Sequence, residues 1–500
     1  MQPEKKSTDA ADQRLLAAVH PSGWIDPEPG GRYDLVVVGG GTSGLVSAIG
    51  AGSLGARVGL IERGLLGGDC LNTGCVPSKA ILRSARAAAD ARRAEAFGVR
   101  VPTVEPDFGA VMRRMRERRA EIGRHDSAER LQAAGVDVYF GEARFTGPST
   151  LEVRGRTLAF RRAVIATGGR PAVPPIPGLS TVAYLTSETL FSLLELPARL
   201  AIIGAGPIGC EMAQALARLG SEVTLLDEAP RVLPQEDADA AAIVARRLTA
   251  DGVAIELGVK VAGVCQHDDS VHVRIETAGG GREVTCDRVL VATGRTPNID
   301  GLDLPAAGVA FGASGVTVDD WLRTSNRRIF GAGDVCSRFR FTHAADAMAR
   351  IVVQNALFFG RKRASTLVIP WCTYTEPEVA HVGMYEEEAR RQGRRVETIT
   401  IPLERVDRAI VDEAGDGFVR VHHERGRLLG CTVVSSRAGE VIGVATHALT
   451  HGASLDDLGS TIQPYPTENN AFRIARDEYR RSRLTPGIRR VLQRYFRLGR

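Results

Sequence analysis

The chain has 500 residues, of which 44% are hydrophobic and 25% are charged. This composition is ordinary for a folded protein of about two to four domains, and it excludes a disordered or fibrous chain. Because no run approaches the ~20 apolar residues that cross a bilayer, we expect no transmembrane segment. The first residues carry charge but no apolar core, so we predict no secretory signal and a cytoplasmic location.

The charge is spread unevenly along the chain. The formal net charge is +5, yet residues 471–500 hold ten arginines against Asp477 and Glu478, which gives this stretch a charge of +8. The other residues together therefore carry −3. A body so close to neutral argues against nucleic acid as a partner.

A first nucleotide-binding unit is predicted after a polar N-terminal extension at residues 1–32. An apolar strand begins at Tyr33 and ends in a glycine-rich turn, residues 39–44, which opens a helix. In such a turn the first glycine makes the bend, the second lets the backbone approach a pyrophosphate, and the third lets the helix pack on the strand. The helix N-terminus binds phosphate, and an acid after the next strand accepts from a ribose hydroxyl. The predicted binding residues are Gly39, Gly41, Gly44 and Glu62.

A second unit repeats this layout, and in both copies 23 residues separate the first glycine from the acid. Its predicted binding residues are Gly204, Gly206, Gly209 and Asp227. Two dinucleotides in one chain indicate hydride transfer between a tightly held flavin and an exchangeable nicotinamide. The charges of Asp227 and Glu228 would repel a 2′-phosphate, so NADH is favoured over NADPH, while Arg231 leaves NADPH open.

Two further segments, residues 163–168 and 289–294, resemble each other. Each is an apolar strand followed by a turn of small residues. We predict that Thr167, Gly168 and Gly294 in these turns contact the cofactors. From about Thr366 to Ser435 short strands alternate with helices without a glycine-rich turn, which indicates a third α/β unit.

Two cysteines, Cys70 and Cys75, have four residues between them in a glycine-rich loop. A zinc site would need two more ligands at matched spacing, and no second Cys/His cluster is close in the sequence. The spacing allows a disulfide that closes and reopens. Cys75 comes just before a predicted helix that starts near Lys79, and a helix N-terminus favours the thiolate. This arrangement suits a redox pair beside a flavin.

The motif G-G-x-C-x3-G-C-x-P-S-K, together with both glycine turns, resembles the class I pyridine nucleotide–disulfide oxidoreductases. That class includes dihydrolipoyl dehydrogenase, glutathione reductase and mercuric reductase. Residues 330–334 (FGAGD) are similar to its second FAD motif, and residues 374–383 (YTEPEVAHVG) are similar to its dimerisation signature. The resemblance implies a homodimeric α/β protein with two Rossmann-like FAD/NAD(P)-binding domains and a C-terminal α+β dimerisation domain.

The resemblance covers about residues 33–480, nearly the whole chain. We therefore expect an FAD-binding domain at 33–180 and 296–365, an NAD(P)-binding domain at 181–295 and a dimerisation domain at 366–485, with the extension at 1–32 before them and a basic tail at 486–500 after them.

The resemblance also implies roles for single residues. Cys75 would face the flavin as the charge-transfer thiolate, and Cys70 would be the interchange thiol. Lys79 would lie near flavin N5, paired with Glu211, because a buried lysine needs a counter-charge. The other cofactor contacts that the resemblance implies are Asp334 at the ribityl–pyrophosphate region of tightly bound FAD and Thr342 and His343 at the flavin ring.

The chain departs from the thiol reductases of this class near its C-terminus. Their His-Pro-Thr-x-x-Glu element is here Tyr465-Pro466-Thr467-Glu468-Asn469-Asn470, so tyrosine replaces the histidine base and asparagine replaces its orienting glutamate. Neutral tyrosine, pKa ~10, is a poor general base at pH 7. Tyrosine here resembles mercuric reductase, although the vicinal cysteine pair at the C-terminus and the N-terminal metal-binding domain of those enzymes are missing.

We therefore expect an NAD(P)H-dependent enzyme that passes electrons through FAD and the cysteine pair to an external acceptor. The first hypothesis for the acceptor is Hg(II) or another soft metal ion, bound transiently by Cys70 and Cys75, with Tyr465 supplied by the neighbouring subunit. No resident metal is predicted. The alternatives are a disulfide reductase of the dihydrolipoyl dehydrogenase type and a flavin-bearing redox sensor.

Two smaller patterns complete the sequence predictions. Ile488, Val491, Leu492, Tyr495 and Phe496 recur at helical spacing, with arginine on the other faces. We expect this stripe to pack on the protein itself, and contact with an anionic lipid surface is the alternative. The neighbouring His422 and His423 would point to opposite faces of a strand and are predicted to be solvated.

Overall fold

The computed structural model describes residues 9–277 and 279–498. They form two compact units, unit 1 within residues 9–232 and 248–367, and unit 2 within residues 233–247 and 368–498. The predicted N-terminal extension and basic tail also include residues 1–8, 499 and 500, which lie outside the described residues.

The helices and strands alternate through most of the chain. The helices are α1 (Ala10–Val19), α2 (Thr42–Gly52), α3 (Gly68–Asn72), α4 (Cys75–Arg93), α5 (Phe108–Gly123), α6 (Ala128–Ala133), α7 (Pro207–Leu219), α8 (Ala238–Ala250), α9 (Thr342–Leu357), α10 (Glu386–Arg391), α11 (Asp407–Val411), α12 (Ala438–Thr450), α13 (Leu455–Ser460), α14 (Asn470–Ser482) and α15 (Pro486–Leu498). The strands are β1 (Tyr33–Val38), β2 (Val58–Glu62), β3 (Val136–Phe140), β4 (Ala143–Gly147), β5 (Thr150–Val153), β6 (Arg156–Ile165), β7 (Gly169–Pro171), β8 (Arg199–Ile203), β9 (Glu222–Asp227), β10 (Ala254–Leu257), β11 (Lys260–His267), β12 (Ser270–Thr277), β13 (Gly280–Cys286), β14 (Arg288–Val291), β15 (Arg295–Pro297), β16 (Phe311–Gly312), β17 (Gly315–Val316), β18 (Ile329–Gly331), β19 (Trp371–Thr373), β20 (Glu378–Gly383), β21 (Glu397–Pro402), β22 (Phe418–Glu424) and β23 (Arg427–Ser435).

The first sheet of unit 1 has a parallel core in the order β3-β2-β1-β6-β18, to which β5 and β4 add antiparallel. Val38 pairs with Ile61 on one side and with Ile165 on the other, and Ile165 also pairs with Gly331. The parallel strands therefore end at one level, and the segments that follow them share one sheet edge. In open α/β sheets this carboxyl edge is where ligands bind.

Both faces of this sheet are covered, which explains the uninterrupted apolar run in β1. Leu35 and Val37 pack into a core that includes residues of helices α2 and α9, while Val36 and Val38 pack into the core on the other face. Alternate residues of a strand point to opposite faces, so a strand covered on both sides is apolar throughout.

A second parallel sheet in unit 1 has the order β10-β9-β8-β14. Ile203 pairs with Leu226 and with Val291, so the turns after β8, β9 and β14 also meet at one edge. The meander β11-β12-β13 completes this part of the unit. The two βαβ units that the glycine spacing predicts are therefore present.

Unit 2 contains the antiparallel sheet β19-β20-β23-β22-β21, packed with helices α12 and α14. The prediction that His422 and His423 are solvated is wrong, since both are 1% exposed. Strand β22 is covered on both faces: His422 Nδ1 lies 2.9 Å from the Thr398 hydroxyl, and the His423 ring packs edge-on against Tyr479. Burial lowers the pKa of both rings, so both stay neutral near pH 7.

Helix α15 differs from the other long helices in having no buried residue. The expectation that its apolar stripe packs on the protein is therefore wrong for the chain as described. Among the described helices, none combines the length and the apolar character that crossing a membrane requires.

Candidate active site

In the first glycine-rich turn, some glycines are required by the backbone and another leaves space for a ligand. Gly39 has φ of +107°, and a Cβ there would lie 2.4 Å from the Ala166 carbonyl oxygen. A Cβ on Gly44 would lie 1.8 Å from the Gly39 oxygen. A Cβ on Gly41 would meet only the Gly68 Cα, at 3.7 Å. The first and third glycines are thus required by the backbone, whereas the second leaves an open approach to the N-terminus of α2.

Glu62 lies at the end of β2, beside this turn. Its two carboxylate oxygens accept the Gly40 and Gly64 N–H groups, each at 2.6 Å. Burial raises the pKa of this carboxyl. Each oxygen keeps a further lone pair for a ribose hydroxyl. An open turn, a helix N-terminus and an oriented acid together fit the adenosine and pyrophosphate of FAD.

The second turn repeats this geometry. Gly204 has φ of +111°, a Cβ on Gly209 would lie 1.8 Å from the Gly204 oxygen, and a Cβ on Gly206 would meet nothing within 4 Å. Asp227 accepts the Ala205 N–H at 2.5 Å and the Ala229 N–H at 2.7 Å. The arrangement fits a second dinucleotide at the start of α7.

The other predicted cofactor residues follow strand ends of these sheets. Gly168 and Gly294 have φ of +65° and +131°, and a Cβ on either would meet nothing within 4 Å. The Thr167 hydroxyl donates to the Asn298 carbonyl oxygen at 2.6 Å. His343 stacks on Phe341 in the first turn of α9. Their contacts with a cofactor stay predictions.

The two cysteines stand on consecutive helices. Cys70 lies in α3, Cys75 is the first residue of α4, and both carry free thiols. The loop packs against the first nucleotide turn, because a Cβ on Gly68 would lie 2.6 Å from the Gly41 Cα. The cysteine loop is therefore fixed to the first glycine-rich turn.

The two cysteine thiols differ in their pKa. A hydrogen bond donated by the Cys70 thiol lowers the pKa of Cys75 to about 6, helped by the Thr342 hydroxyl at 3.3 Å and the charge of Lys79. The same hydrogen bond, together with burial, raises the pKa of Cys70. At pH 7 the pair therefore consists of a Cys75 thiolate and a Cys70 thiol, while their roles as charge-transfer thiolate and interchange thiol stay predictions.

Lys79 and Glu211 form the ion pair that the family resemblance implies. Their Nζ and Oε2 atoms are 2.8 Å apart, across helices α4 and α7, and the Glu211 side chain is buried. A buried carboxylate needs such a counter-charge. The pair also joins the cysteine helix to the helix that opens at the second nucleotide turn.

Sequence reasoning missed a further ion network beside Cys70. Arg295 contacts the carboxylate of Asp69, and its Nε lies 3.3 Å from Asp334 Oδ2. It also donates to the Gly169 carbonyl oxygen at 2.8 Å. Burial raises the pKa of Asp334, which this arginine opposes. The only sequence signals were the position of Asp69 next to Cys70 and of Arg295 next to Gly294.

The N-terminal extension, whose placement the sequence left open, docks on the segment that leads to Cys70. The Leu66 N–H donates to the Val19 carbonyl oxygen at 3.2 Å, and His20 Nδ1 donates to the Gly64 oxygen at 2.5 Å. Asp12 binds Arg119 at 2.7 Å, and Arg119 donates to the Asn72 carbonyl oxygen at 3.0 Å. The extension thus holds the loop at both of its ends.

Tyr465 belongs to unit 2, where it is exposed. Its hydroxyl donates to Asp407 Oδ2 at 2.8 Å, and this contact raises the pKa of Tyr465. The phenol is therefore neutral at pH 7. Asn470 begins helix α14 and accepts a hydrogen bond from Arg473. The place of Tyr465 beside a cysteine pair stays a prediction.

Across residues 9–277 and 279–498, no three His, Cys, Asp or Glu side chains are grouped so that they could hold a metal ion.

Two nucleotide turns with an open second glycine, joined to a thiol pair of unequal acidity, define a dinucleotide-dependent oxidoreductase with a disulfide redox centre. The chain belongs to the pyridine nucleotide-disulphide oxidoreductase family, whose main domain matches residues 33–349 and whose dimerisation domain matches residues 369–476. The predicted membership and the predicted fold are confirmed. Members of the family depend on FAD and NAD(P)H, and the dimerisation domain indicates a homodimer. The predicted domain boundaries and site residues stay predictions.

Relatives of this chain carry more than one activity. The chain is 35% identical to mercuric reductase of Staphylococcus aureus over 479 residues, 93% of this chain and 88% of that one. It is 36% identical to dihydrolipoyl dehydrogenase of Thermus scotoductus over 445 residues, 87% and 95% of the two chains. The structure of RclA from Escherichia coli, an HOCl-induced flavoprotein disulfide reductase, superimposes with a TM-score of 0.80 at 29% identity, covering 89% of this chain and 99% of that one. These three relatives share the family but not the activity.

The two glycines of the second turn provide a test of its geometry. Gly206→Ala is expected to keep the thermal stability of the unsubstituted protein, because its Cβ meets nothing within 4 Å. It should raise KM for NADH roughly tenfold, because the methyl group occupies the side from which a pyrophosphate approaches. Gly209→Ala should lower Tm by about 3 °C or more through backbone overlap. Equal losses of stability in the two variants would contradict this division, and so would normal NADH binding by Gly206→Ala.

The N-terminal contact to the cysteine loop provides a second test. Asp12→Asn removes the ion pairs of Asp12 with Arg119 and with Arg116 and is expected to loosen the Asn72 carbonyl contact. Alkylation of Cys70 by iodoacetamide in the reduced protein, followed by mass spectrometry, should become roughly tenfold faster, because a hydrogen bond to a charged group contributes about 1.5–3 kcal/mol. The matched control is Glu28→Gln, which removes an exposed ion pair with Arg156 from the same extension. Equal alkylation rates in the two variants would show that the contact does not position the loop.

Proposed function

We propose that this protein oxidises NADH and reduces a soft metal ion, with Hg(II) as the representative acceptor, at Cys70 and Cys75. The observation that carries the proposal is the thiolate–thiol pair in a protein whose Tyr465 stands where thiol reductases have a histidine base. Two sulfurs of this kind select soft ions such as Hg(II) and Cu(I). The mercuric reductases among its relatives support the same acceptor class.

The residues of this chain account for binding and for proton movement. FAD, when bound, supplies the hydride acceptor that links NADH to the cysteine pair. The sulfur–sulfur bond takes up two electrons and one proton from NADH, and it opens to the Cys75 thiolate and the Cys70 thiol. When the bond closes again, two electrons pass to Hg(II), which becomes Hg(0), and the Cys70 proton is released. The sum is NADH plus Hg(II) giving NAD⁺, Hg(0) and one proton.

The choice of NADH rests on the end of strand β9. Both oxygens of Asp227 accept backbone N–H groups, so its carboxylate is oriented toward the turn. Glu228 is exposed beside it. A 2′-phosphate would meet these two negative charges. We also propose a cytoplasmic location, where thiols are kept reduced.

Tyr465 of the partner subunit would contribute a neutral hydroxyl to this site. Its proton is held by the hydrogen bond to Asp407, which makes the phenol a hydrogen-bond donor and an ineffective base. A soft metal displaces the Cys70 proton when it binds, so this reaction needs no base of the histidine type. Exchange between a dithiol and a disulfide does need one.

A disulfide reductase is the second candidate. It is favoured by the likeness to the disulfide reductase RclA and by the dihydrolipoyl dehydrogenase of Thermus scotoductus, which is 36% identical to this chain, against 35% for the mercuric reductase of Staphylococcus aureus. The third candidate, a redox sensor that signals through the cysteine pair, is favoured by no separate observation.

Three assays test the choice of acceptor. NADH oxidation is measured with Hg(II) in excess thiol and with disulfide substrates, and NAD⁺ reduction is measured with dihydrolipoamide. We expect turnover with Hg(II), reduced roughly a hundredfold in Cys70→Ala because one of the two metal ligands is lost. The control is Cys265→Ser, which removes an exposed cysteine outside the motif and should change nothing.

Two substitutions at Tyr465 sharpen this test. Tyr465→Phe should lower turnover with Hg(II), and Tyr465→His should raise turnover with dihydrolipoamide by restoring a base. Faster turnover of the unsubstituted enzyme with a disulfide than with Hg(II) would establish the second candidate, and absence of turnover with every acceptor would establish the third.

The acidity of Cys75 predicts a pH dependence. Its pKa is lowered to about 6, so the thiolate is present above that pH and is lost as pH falls through it. The long-wavelength absorbance that a thiolate beside a flavin produces in the reduced enzyme should fall with a midpoint near pH 6. Thr342→Val should raise the midpoint by about one pH unit, because one hydrogen bond to the thiolate is removed. Thr342→Ser, which keeps the hydroxyl, is the control. A midpoint unchanged in Thr342→Val would contradict the assignment.

A further inference from the structure

Helix α15 has two chemically distinct sides. Its apolar side chains follow one another at spacings of three and four residues and therefore lie on one side of the helix. They are Ile488, Val491, Leu492, Tyr495 and Phe496. The other side carries Arg489, Arg490, Gln493, Arg494 and Arg497. Pro486 begins the helix, where its missing N–H costs nothing.

The apolar side is uncovered along its whole length. Every residue from 486 to 498 is exposed, and Val491, Tyr495 and Phe496 retain 66%, 67% and 65% of their accessible surface. An isolated helix of this length is marginal in water, since most helical stability in proteins comes from packing of the apolar side. A contiguous exposed apolar surface bordered by charge marks an interaction site.

The charge of the helix identifies the kind of partner. Residues 486–498 contain four arginines and no acidic residue, and Arg480, Arg481 and Arg483 precede them. A two-fold contact between two copies of α15 would bring these arginine rows together, which costs energy through like-charge repulsion. A surface of phosphate groups over hydrocarbon can bind the arginines on one side of the helix and cover the apolar side chains on the other. Guanidinium groups bind phosphate oxygens in bidentate fashion, and aromatic side chains favour the boundary between headgroups and acyl chains.

We propose that α15 binds the surface of an anionic phospholipid bilayer. The helix lies in the plane of the surface, with its apolar side in the acyl boundary and its arginines on the headgroup phosphates. No described helix is suited to crossing a membrane, so this contact places the protein on the membrane and not through it. A single short helix of this kind binds weakly and reversibly, and the homodimer presents two copies, which strengthens attachment through effective concentration.

The test uses the full-length protein loaded with FAD. It requires no electron acceptor, because the proposed binding is independent of the acceptor. Sedimentation with vesicles of phosphatidylglycerol and phosphatidylcholine in equal parts is compared with sedimentation with phosphatidylcholine vesicles alone. We expect binding to the anionic vesicles only, and release as salt rises, because screening weakens the attraction.

The double variant Arg490→Gln with Arg494→Gln should bind the anionic vesicles at least about tenfold more weakly, since each arginine near the surface contributes to attraction. The matched control is Arg390→Gln with Arg391→Gln, which removes the same charge from the exposed side of helix α10 and should bind normally. Tyr495→Ser with Phe496→Ser should abolish binding while all arginines remain. None of these residues belongs to the redox site, so NADH oxidation should be unchanged in all three variants.

Three results would overturn the proposal. Equal binding to neutral and anionic vesicles would remove the role of the arginines, and absence of binding to either would remove the lipid surface as partner. If Val491→Asp converts the protein from dimer to monomer in size-exclusion chromatography without vesicles, α15 is a contact between subunits. Because vesicle binding requires no turnover, failure of the proposed acceptor leaves this outcome unaffected.

Discussion

A hydrogen bond from the Cys70 thiol to the Cys75 sulfur governs the chemistry available at this site. It depends on the backbone, because Cys75 opens helix α4 and Cys70 lies in the short helix before it. The helix N-terminus and Lys79 favour negative charge at Cys75, and the hydrogen bond to Cys75 together with burial keeps the proton on Cys70. Two thiols of equal pKa would not form one thiolate and one thiol at neutral pH. The loop therefore supplies one nucleophilic sulfur and one protonated sulfur at neutral pH before any acceptor arrives.

The close backbone contact between the cysteine loop and the first nucleotide turn makes these two features one structural unit. Gly68 approaches Gly41 so closely that a Cβ on Gly68 would lie 2.6 Å from the Gly41 Cα, whereas Gly41 itself stays open toward the N-terminus of α2. The turn is fixed by the contact of Gly44 with Gly39, and the loop is fixed by the docked extension and by Arg295 on Asp69. Any shift of the turn would move the sulfurs relative to the dinucleotide. This coupling explains why so many glycines stand in a short stretch of sequence.

The sequence predicts those features whose partners are close in the chain or belong to a motif. The nucleotide turns, the acids Glu62 and Asp227 and the cysteine pair are of this kind, because strand, turn and helix fix their geometry locally. The Lys79–Glu211 pair was carried over from the family resemblance. Long-range packing was not predictable. The burial of both histidines in β22 depends on cover for each face of a strand, and the docking of α1 depends on Arg119, more than a hundred positions away. The bare stripe of α15 has the same cause, since a periodic pattern gives a helix its apolar side but not the surface that covers it.

The protonation states of the proposed site residues distinguish the candidate acceptors more clearly than the sequence motifs do. At pH 7 the residues proposed for the site hold one thiolate, one thiol and one phenol whose proton is committed to Asp407. A soft dication needs two thiolates, and its own charge expels the Cys70 proton to solvent as the second metal–sulfur bond forms. A disulfide substrate brings no such charge, so the proton must be taken up and returned by a side chain whose pKa lies near 7. Tyr465, with its raised pKa, cannot serve in that way. The electrostatics of the cysteine pair and of the tyrosine thus favour the same acceptor, although the two groups stand on different parts of the chain.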